Sequence, residues 1–203
     1  MASNLLAGHA DVRQVVNLVG DNQIDVLSLE ELSPPAVDSL DKAGLFSLPT
    51  NKVLHPASGS GLMSRHPLSE LRVTGASTRK QSSARGSAQF TLGGGVKVDI
   101  LVAVGIQRSA RSRRRSPARI LAGDFNATLD HATLRGPLDS GYADAAEQRG
   151  DGLVATWQDA GFPPQVAIDH VLVDRCVAVT DYRVFDMPGS DHHAIYAELM
   201  LPN

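Results

Sequence analysis

The segment ARILAGDFNATLDH, residues 118–131, delivers Gly, Asp, Phe and Asn directly after an apolar run. Ile120, Leu121 and Ala122 have the length and character of a short buried strand, and Gly123 ends it by permitting tight or positive-φ backbone. Asp124 and Asn126 are two residues apart, so an extended backbone turns both side chains the same way. One is an acid able to accept a proton, and the other is a neutral donor and acceptor. Taken alone, the pattern also fits an Asx turn closing a strand. The rest of the chain decides between a turn and a site.

Composition sets the frame. At 203 residues the chain suits one domain, 1–203, large enough to bury roughly 70% of the surface its unfolded form exposes. With 42% hydrophobic and 20% charged residues it reads as an ordinary soluble globular protein. A formal charge of −3 provides no global attraction to nucleic acid or anionic lipid. Cys176 is the single cysteine, which excludes an intrachain disulfide and argues against a Cys-based zinc site; its setting, VLVDRCVAV, reads as a core thiol. The longest purely apolar stretch, ILVAVGI at 100–106, is far below the ~20 residues that span a bilayer. The start, MASNLLAGHADVR, lacks a basic region and a sustained apolar core, so no secretory signal is expected. The chain as it stands is expected to be a cytoplasmic monomer with no membrane segment.

Strands and helices alternate along the chain. Val12, Val15, Val16 and Val19 fall on one face of a helix over 11–22, followed by a strand at 24–29. PPAVDSLDKAG (34–44) predicts a second helix, opened by Pro and stopped by Gly44. Strands are expected at 61–64, 71–74, 88–92 and 96–104, and a polar, basic connection at 105–119. A short helix near 142–148 and strands at 169–173, 178–186 and 193–201 complete a layered α/β or α+β domain.

Three further polar clusters sit where apolar runs end or begin: Glu30 and Glu31 in LSLEEL, Asp169 and His170 in VAIDHVLV, and Asp191, His192 and His193 in GSDHHAIYAEL. Each alone has a plain explanation as solvated strand-end charge or satisfied histidine. Their repetition at strand ends is where open sheets build sites. Carboxylates with Asn and His, and no Cys, favour a hard cation, Mg²⁺ or Mn²⁺.

The ordered set ASN, DVLSLEEL, SGLMSRHPL, ILAGDFNAT, GYADA, ATW, AIDHVLV and GSDHHAIYAEL resembles the endonuclease/exonuclease/phosphatase superfamily, with its DNase I-like fold. The resemblance runs along nearly the whole chain, and GDFN and SDH are its most specific motifs. It implies a four-layered α/β sandwich: two packed mixed β-sheets flanked by helices, with the site where loops meet at one edge. It also implies roles. Glu31 would ligate the divalent metal, with Asn4 helping to fix metal and phosphate and Asp191 supporting the metal directly or through water. Asp124 would orient or deprotonate the attacking water, and Asn126 would hold a phosphate oxygen. His192 would contact the scissile phosphate, and Asp169 would fix its tautomer. Glu30 stands where the family has Gln, where it either adds negative charge or faces away.

The chemistry expected is divalent-metal-dependent hydrolysis of phosphoester or phosphodiester bonds, nuclease-like. Such a reaction needs an activated water, charge neutralisation at the phosphate oxygens and help for the leaving oxygen. A phosphatase or phospholipase acting on inositol phosphates or lipid head groups shares the same core residues. A degenerate member that binds phosphate ligands without turnover is the third reading.

Two departures lower the expected activity. Only Met1, Ala2 and Ser3 precede Asn4, so the first strand is expected to be truncated and Asn4 loosely held. A family His is expected near the end of VKVDILVAVGIQ, where this chain has Ala103, Val104 and Gly105; His131, His66 and His55 are spare imidazoles. Finally, Arg108, Arg111, Arg113, Arg114, Arg115 and Arg119 crowd into a twelve-residue window. They form either a solvated loop or a phosphate-tracking patch, in which Arg113, Arg114 and Arg115 are the candidate contacts to DNA or RNA.

Overall fold

Alternation of side chains along the strands builds two sheets whose inner faces meet. A computed structural model describes residues 1–48, 51–70, 87–91, 97–102, 118–159 and 162–202. The first sheet contains β1 (Ala2–Asn4), β2 (Val26–Leu32), β3 (Asn51–His55), β4 (Gly59–Ser64), β13 (Ala178–Phe185) and β14 (Ala194–Met200), in the order β13-β14-β1-β2-β4-β3. The second contains β5 (Leu68–Glu70), β6 (Ser87–Thr91), β7 (Lys97–Val102), β8 (Ala118–Asp124), β9 (Tyr142–Asp144) and β12 (Asp169–Asp174), in the order β5-β6-β7-β8-β12-β9. A separate two-stranded ribbon joins β10 (Trp157–Asp159) to β11 (Phe162–Val166). Both large sheets are mixed, because β1 runs parallel to β2 and β7 parallel to β8.

Helices cover the outer faces. α1 (Val12–Asp21) starts at Asp11, whose carboxylate accepts from the Arg13 N–H, and it buries Val15, Leu18 and Val19. α2 (Pro34–Lys42) starts at Ser33 with Pro in its first turn; Gly44, at φ 90°, carries the chain away in the left-handed region. Both pack on the first sheet, where Leu27, Leu29 and Met63 face Val15, Val19 and Leu40. α3 (Ala132–Asp139) covers the second sheet through Leu134, against Phe125, Tyr142 and Leu172. Between the sheets lie Ala2, Leu62, Ile100, Ile120, Ala122, Val171, Val173 and Ile195. The four-layered sandwich implied by the sequence is the fold. Among the described residues, no helix is long and apolar enough to cross a membrane.

Several expectations change. β1 is short, but it is central: it is paired to β2 through Ala2↔Ser28, Ser3↔Leu29 and Asn4↔Glu30, and to β14 through Ala2↔Ile195. Its three residues are all buried, so Asn4 is firmly rather than loosely held. The helix expected near 142–148 is present as α4 (Ala145–Arg149), but its first three residues instead form the strand β9. Asp144 makes the break by accepting from the Glu147 N–H as the cap. Cys176 is exposed rather than in the core. The chain reverses there through a Val177 N–H bond to the Asp174 carbonyl, which turns Cys176 outward and Val177 inward. The strand expected at 71–74 lies outside the described residues, as do Ala103, Val104, Gly105 and the arginines from Arg108 to Arg115.

Candidate active site

Strand parity delivers the site. In β8, Ile120 and Ala122 face the other sheet, so Asp124 does too; in β12, Val171 and Val173 do the same for Asp169. The two acids are direct partners in the antiparallel β8–β12 ladder. From the facing sheet, Ala2 in β1 and Ser28 in β2 point inward, which aligns Asn4 and Glu30 with them. His192 comes from the segment before β14, tied down by an isolated bridge to Trp157.

His192 lies between the two acids. Its Nδ1 is 2.9 Å from Asp169 Oδ2 and 3.1 Å from Oδ1, and its Nε2 is 3.9 Å from Asp124 Oδ2. Asp169 is itself fixed by Thr156, whose hydroxyl donates to Oδ2 at 2.7 Å while accepting the N–H groups of Ile168 and Asp169. Burial by itself lowers the basicity of His192. The Asp169 hydrogen bond and the charges of Asp169, Asp124 and Asp191 outweigh it, so the ring's pKa is raised. Asp124 is held above the usual carboxylate range, first by burial and then by the charge of Asp169. A carboxylate with raised pKa is a stronger base, and an imidazolium anchored at Nδ1–H can present Nε2–H to an anion.

The turn after β8 is an Asx turn as well as part of the site. Asp124 Oδ1 accepts from the Asn126 N–H at 2.8 Å, and Oδ2 accepts from Asn126 Nδ2 at 2.8 Å. Asn126 holds a left-handed φ of 50° and is exposed.

Glu30 and Glu31 separate at a bulge. The β2–β4 register shifts between Glu30 and Leu32, and Glu31 takes φ 51°. Glu31 is therefore exposed and reaches Asn4, whose Nδ2 donates to its Oε1 at 3.3 Å. Asn4 Oδ1 accepts from the Leu6 N–H at 2.9 Å, which orients the amide so that Nδ2 faces Glu31 and, at 3.4 Å, Asp124. Glu30 does not face away from the sheet interior. It is fully buried, accepts from the Ser28 hydroxyl at 2.6 Å, and is pushed well above the carboxylate range, chiefly by burial.

One donor set among the described residues is close enough to hold a cation. Asp124, Asp169 and His192 offer ligand atoms within 4.8 Å of one another. In that set, however, Asp169 and His192 Nδ1 already satisfy each other. Asp191 is different: Oδ2 accepts from the Trp157 indole at 2.9 Å, while Oδ1 is buried with no hydrogen-bond partner among the described residues. An oriented carboxylate with one unused buried oxygen can accept a further bond, from a donor or from a hard, oxygen-seeking cation.

Three residues here were given no role from the sequence: Thr156, Trp157 and Ser190. Ser190 bonds the Asn4 carbonyl and accepts the His192 N–H, so it ties two site segments together. The ATW motif was the available signal for the other two. Elsewhere, His131 accepts the Thr128 N–H at the start of α3, and His66 lies 4.0 Å from Asp25. Arg119 sits beside Asp99 and Asp174, at the end of β8 away from Asp124.

The sequence model described as the Endonuclease/Exonuclease/phosphatase family matches residues 1–192. No curated protein matches the chain. Among solved structures, a D. rerio TDP2 humanized by 14 mutations is similar at 19% identity and TM-score 0.73, covering 98% of this chain and 97% of its own. D. rerio TDP2 complexed with single strand DNA product is similar at 19% identity and TM-score 0.71, over 94% and 91% of the two chains. An endonuclease/exonuclease/phosphatase family protein from Leptotrichia buccalis C-1013-b has 15% identity and TM-score 0.72, over 98% of each chain. At these identities the likeness is one of fold.

Proposed function

Because this chain belongs to the endonuclease/exonuclease/phosphatase family, whose members typically hydrolyse phosphoester bonds, we propose that it is a divalent-cation-dependent phosphodiesterase acting on nucleic acid. The observation that carries the reading is His192, anchored by Asp169 at Nδ1 and facing Asp124 across 3.9 Å at Nε2. A phosphate oxygen or its attacking water that bonds both groups would sit to one side of that 3.9 Å line, not between them.

Asp124 accepts the proton of the attacking water, a step of typical worth ~10²–10⁴-fold. Asn126 keeps Asp124 oriented and has a second amide hydrogen to offer a phosphate oxygen. As an imidazolium, His192 directs Nε2–H at the scissile phosphate; Asp169 accepts from Nδ1–H and, by its hydrogen bond and charge, favours that charged form. Asn4 separates Glu31 from Asp124 by donating to both. When bound by Glu31 and Asp191 Oδ1, Mg²⁺ or Mn²⁺ supplies Lewis acidity and neutralises charge on the phosphate oxygens.

The single strand DNA product bound to D. rerio TDP2 supports a nucleic-acid substrate, as does the arginine-rich stretch at Arg113, Arg114 and Arg115. We propose further that the chain acts as a single-domain monomer in the cytoplasm. The test is a Mg²⁺ and Mn²⁺ activity screen over plasmid DNA, single strands, inositol phosphates and sphingomyelin, with Asp124→Ala as control. Cleavage of DNA by the natural sequence and not by the control is expected. Turnover of inositol phosphates or sphingomyelin alone would replace the nuclease with a phosphatase or phospholipase. Phosphate binding without any turnover would leave a binding protein.

A further inference from the structure

His170 follows Asp169 directly, and strand alternation sends it to the opposite face of the second sheet, toward α3. It is buried there, with Nδ1 3.0 Å from Asp144 Oδ2 and Nε2 2.8 Å from the Ala127 carbonyl. A carbonyl only accepts, so Nε2 carries a hydrogen; a proton must also lie between Nδ1 and the Asp144 carboxylate. Asp144 is fixed at its other oxygen, where Oδ1 caps α4 through the Glu147 N–H at 2.9 Å. The Phe125 ring meets the imidazole edge-on, with centroids 5.6 Å apart.

Ala127 is the residue after Asn126, and Asn126 occupies the left-handed region, uncommon for a residue with a Cβ although Asn tolerates it better than most. Besides the two Asn126 bonds to Asp124 inside the turn, contacts at either end hold it. Phe125 N–H bonds the Ile168 carbonyl at 2.9 Å before the turn, and His170 binds the Ala127 carbonyl after it. Together they fix both ends of the segment on which Asp124 and Asn126 stand.

We propose that His170 is a positioning residue for hydrolysis: anchored by Asp144, it clamps the Ala127 carbonyl and so holds the turn that aims Asp124 and Asn126. The proposal rests on the phosphodiesterase reading above for its consequence in turnover. Its structural content, a clamp on the turn, is read independently.

The experiment measures kcat and KM on the substrate found in the screen, together with amide hydrogen exchange at Asn126, whose N–H is bonded to Asp124. His170→Phe is expected to lower kcat by about 10²-fold, the cost of a small misplacement of reacting groups. KM should change by less than about threefold, because orientation rather than binding is lost. Asp144→Asn should keep most activity, since an amide can cap α4 with its oxygen and donate to Nδ1 with its nitrogen. Combined with Asn126→Ala, His170→Phe should cost far less than it does alone, because groups acting through one another are not additive. An undiminished additional loss in the double variant would reduce His170 to a general packing residue and overturn the proposal. Should His170→Phe fail to fold, His170→Gln retains one of the two hydrogen bonds and should lose about tenfold in kcat with faster exchange at Asn126. Unchanged exchange at Asn126 in His170→Gln would overturn the clamp. If the natural sequence turns over nothing, the function assigned above fails. The clamp is then still decided by exchange at Asn126.

Discussion

Trp157 donates its indole N–H to Oδ2 of Asp191 at 2.9 Å, and the other oxygen of that carboxylate is buried without a partner among the described residues. The indole fixes the direction in which Asp191 offers its remaining lone pairs. Glu31→Gln and Asp191→Asn are therefore expected to weaken Mn²⁺ binding strongly. Trp157→Phe, which removes only the supporting bond, should weaken it ~10–100-fold. Titration calorimetry reads all three, and undiminished Mn²⁺ affinity in Glu31→Gln would reject that ligand.

Thr156 is the second support. Its hydroxyl donates to Asp169 and accepts two backbone N–H groups, so Thr156→Val leaves buried donors unpaired. The loss should cost about 1–3 kcal/mol, read as a lowered urea midpoint. It should also lower kcat, because Asp169 would no longer hold His192 in a single orientation. A destabilised variant with full kcat would separate Thr156 from the site.

The two raised pKa values set a pH profile. Asp124 must be ionised to act as base and sits above the usual carboxylate range, so kcat/KM should rise with pH through a midpoint higher than an ordinary carboxylate's. His192 must be protonated to donate and sits above the usual imidazole range, so the rate should fall again only on the alkaline side of an ordinary histidine. His192→Asn should remove the alkaline limb. An unaltered profile in that variant would assign the limb to another group.

Glu30 governs stability rather than turnover. Its pKa is raised on folding, so the folded state holds its proton more tightly than the unfolded chain does. Its contribution is full below the unfolded carboxylate pKa and is lost as pH rises toward the folded value. Glu30→Gln should abolish that loss. The variant's Tm is expected to exceed the natural protein's at neutral pH and to converge with it in acid, with activity within about threefold. A lower Tm for the variant at neutral pH would show that Glu30 is ionised and needed.

If Arg113, Arg114 and Arg115 track phosphates, log K for DNA should fall with log[salt] at about −0.9 per contact. Replacing all three by Ala should then flatten the slope by about 2–3 units. An unchanged slope would make the run a solvated loop.

The candidate site residues were picked out by motifs of the family resemblance, and strand parity accounts for how several of them come together. In ILAGD and DHVLV the apolar runs are continuous, with Leu121 and Leu172 turned to the α3 side, so Asp124 and Asp169 are seen to share the inner parity of Ile120, Ala122, Val171 and Val173 only in the folded sheet. The same periodicity separates Asp169, which serves His192, from His170, which faces α3. The choice between Glu30 and Glu31 was not legible by parity. Adjacent strand residues point to opposite faces, and it took a bulge, with Glu31 at positive φ, to bury one carboxyl and bring the other to Asn4.

The sequence by itself determined which segments are strands and helices and that polar clusters stand at strand ends, since these follow from local periodicity; the four layers and the roles of the acids came from its resemblance to the family. Only the tertiary structure decided who holds whom. Thr156 and Asp169 are 13 residues apart and Trp157 and Asp191 are 34 apart. His170 reaches 43 residues back to Ala127, and Asn4 reaches 120 residues forward to Asp124. Such pairings depend on sheet register and on the crossing of two sheets. No local pattern encodes them, because a hydrogen bond is set by where the folded backbone brings its two ends.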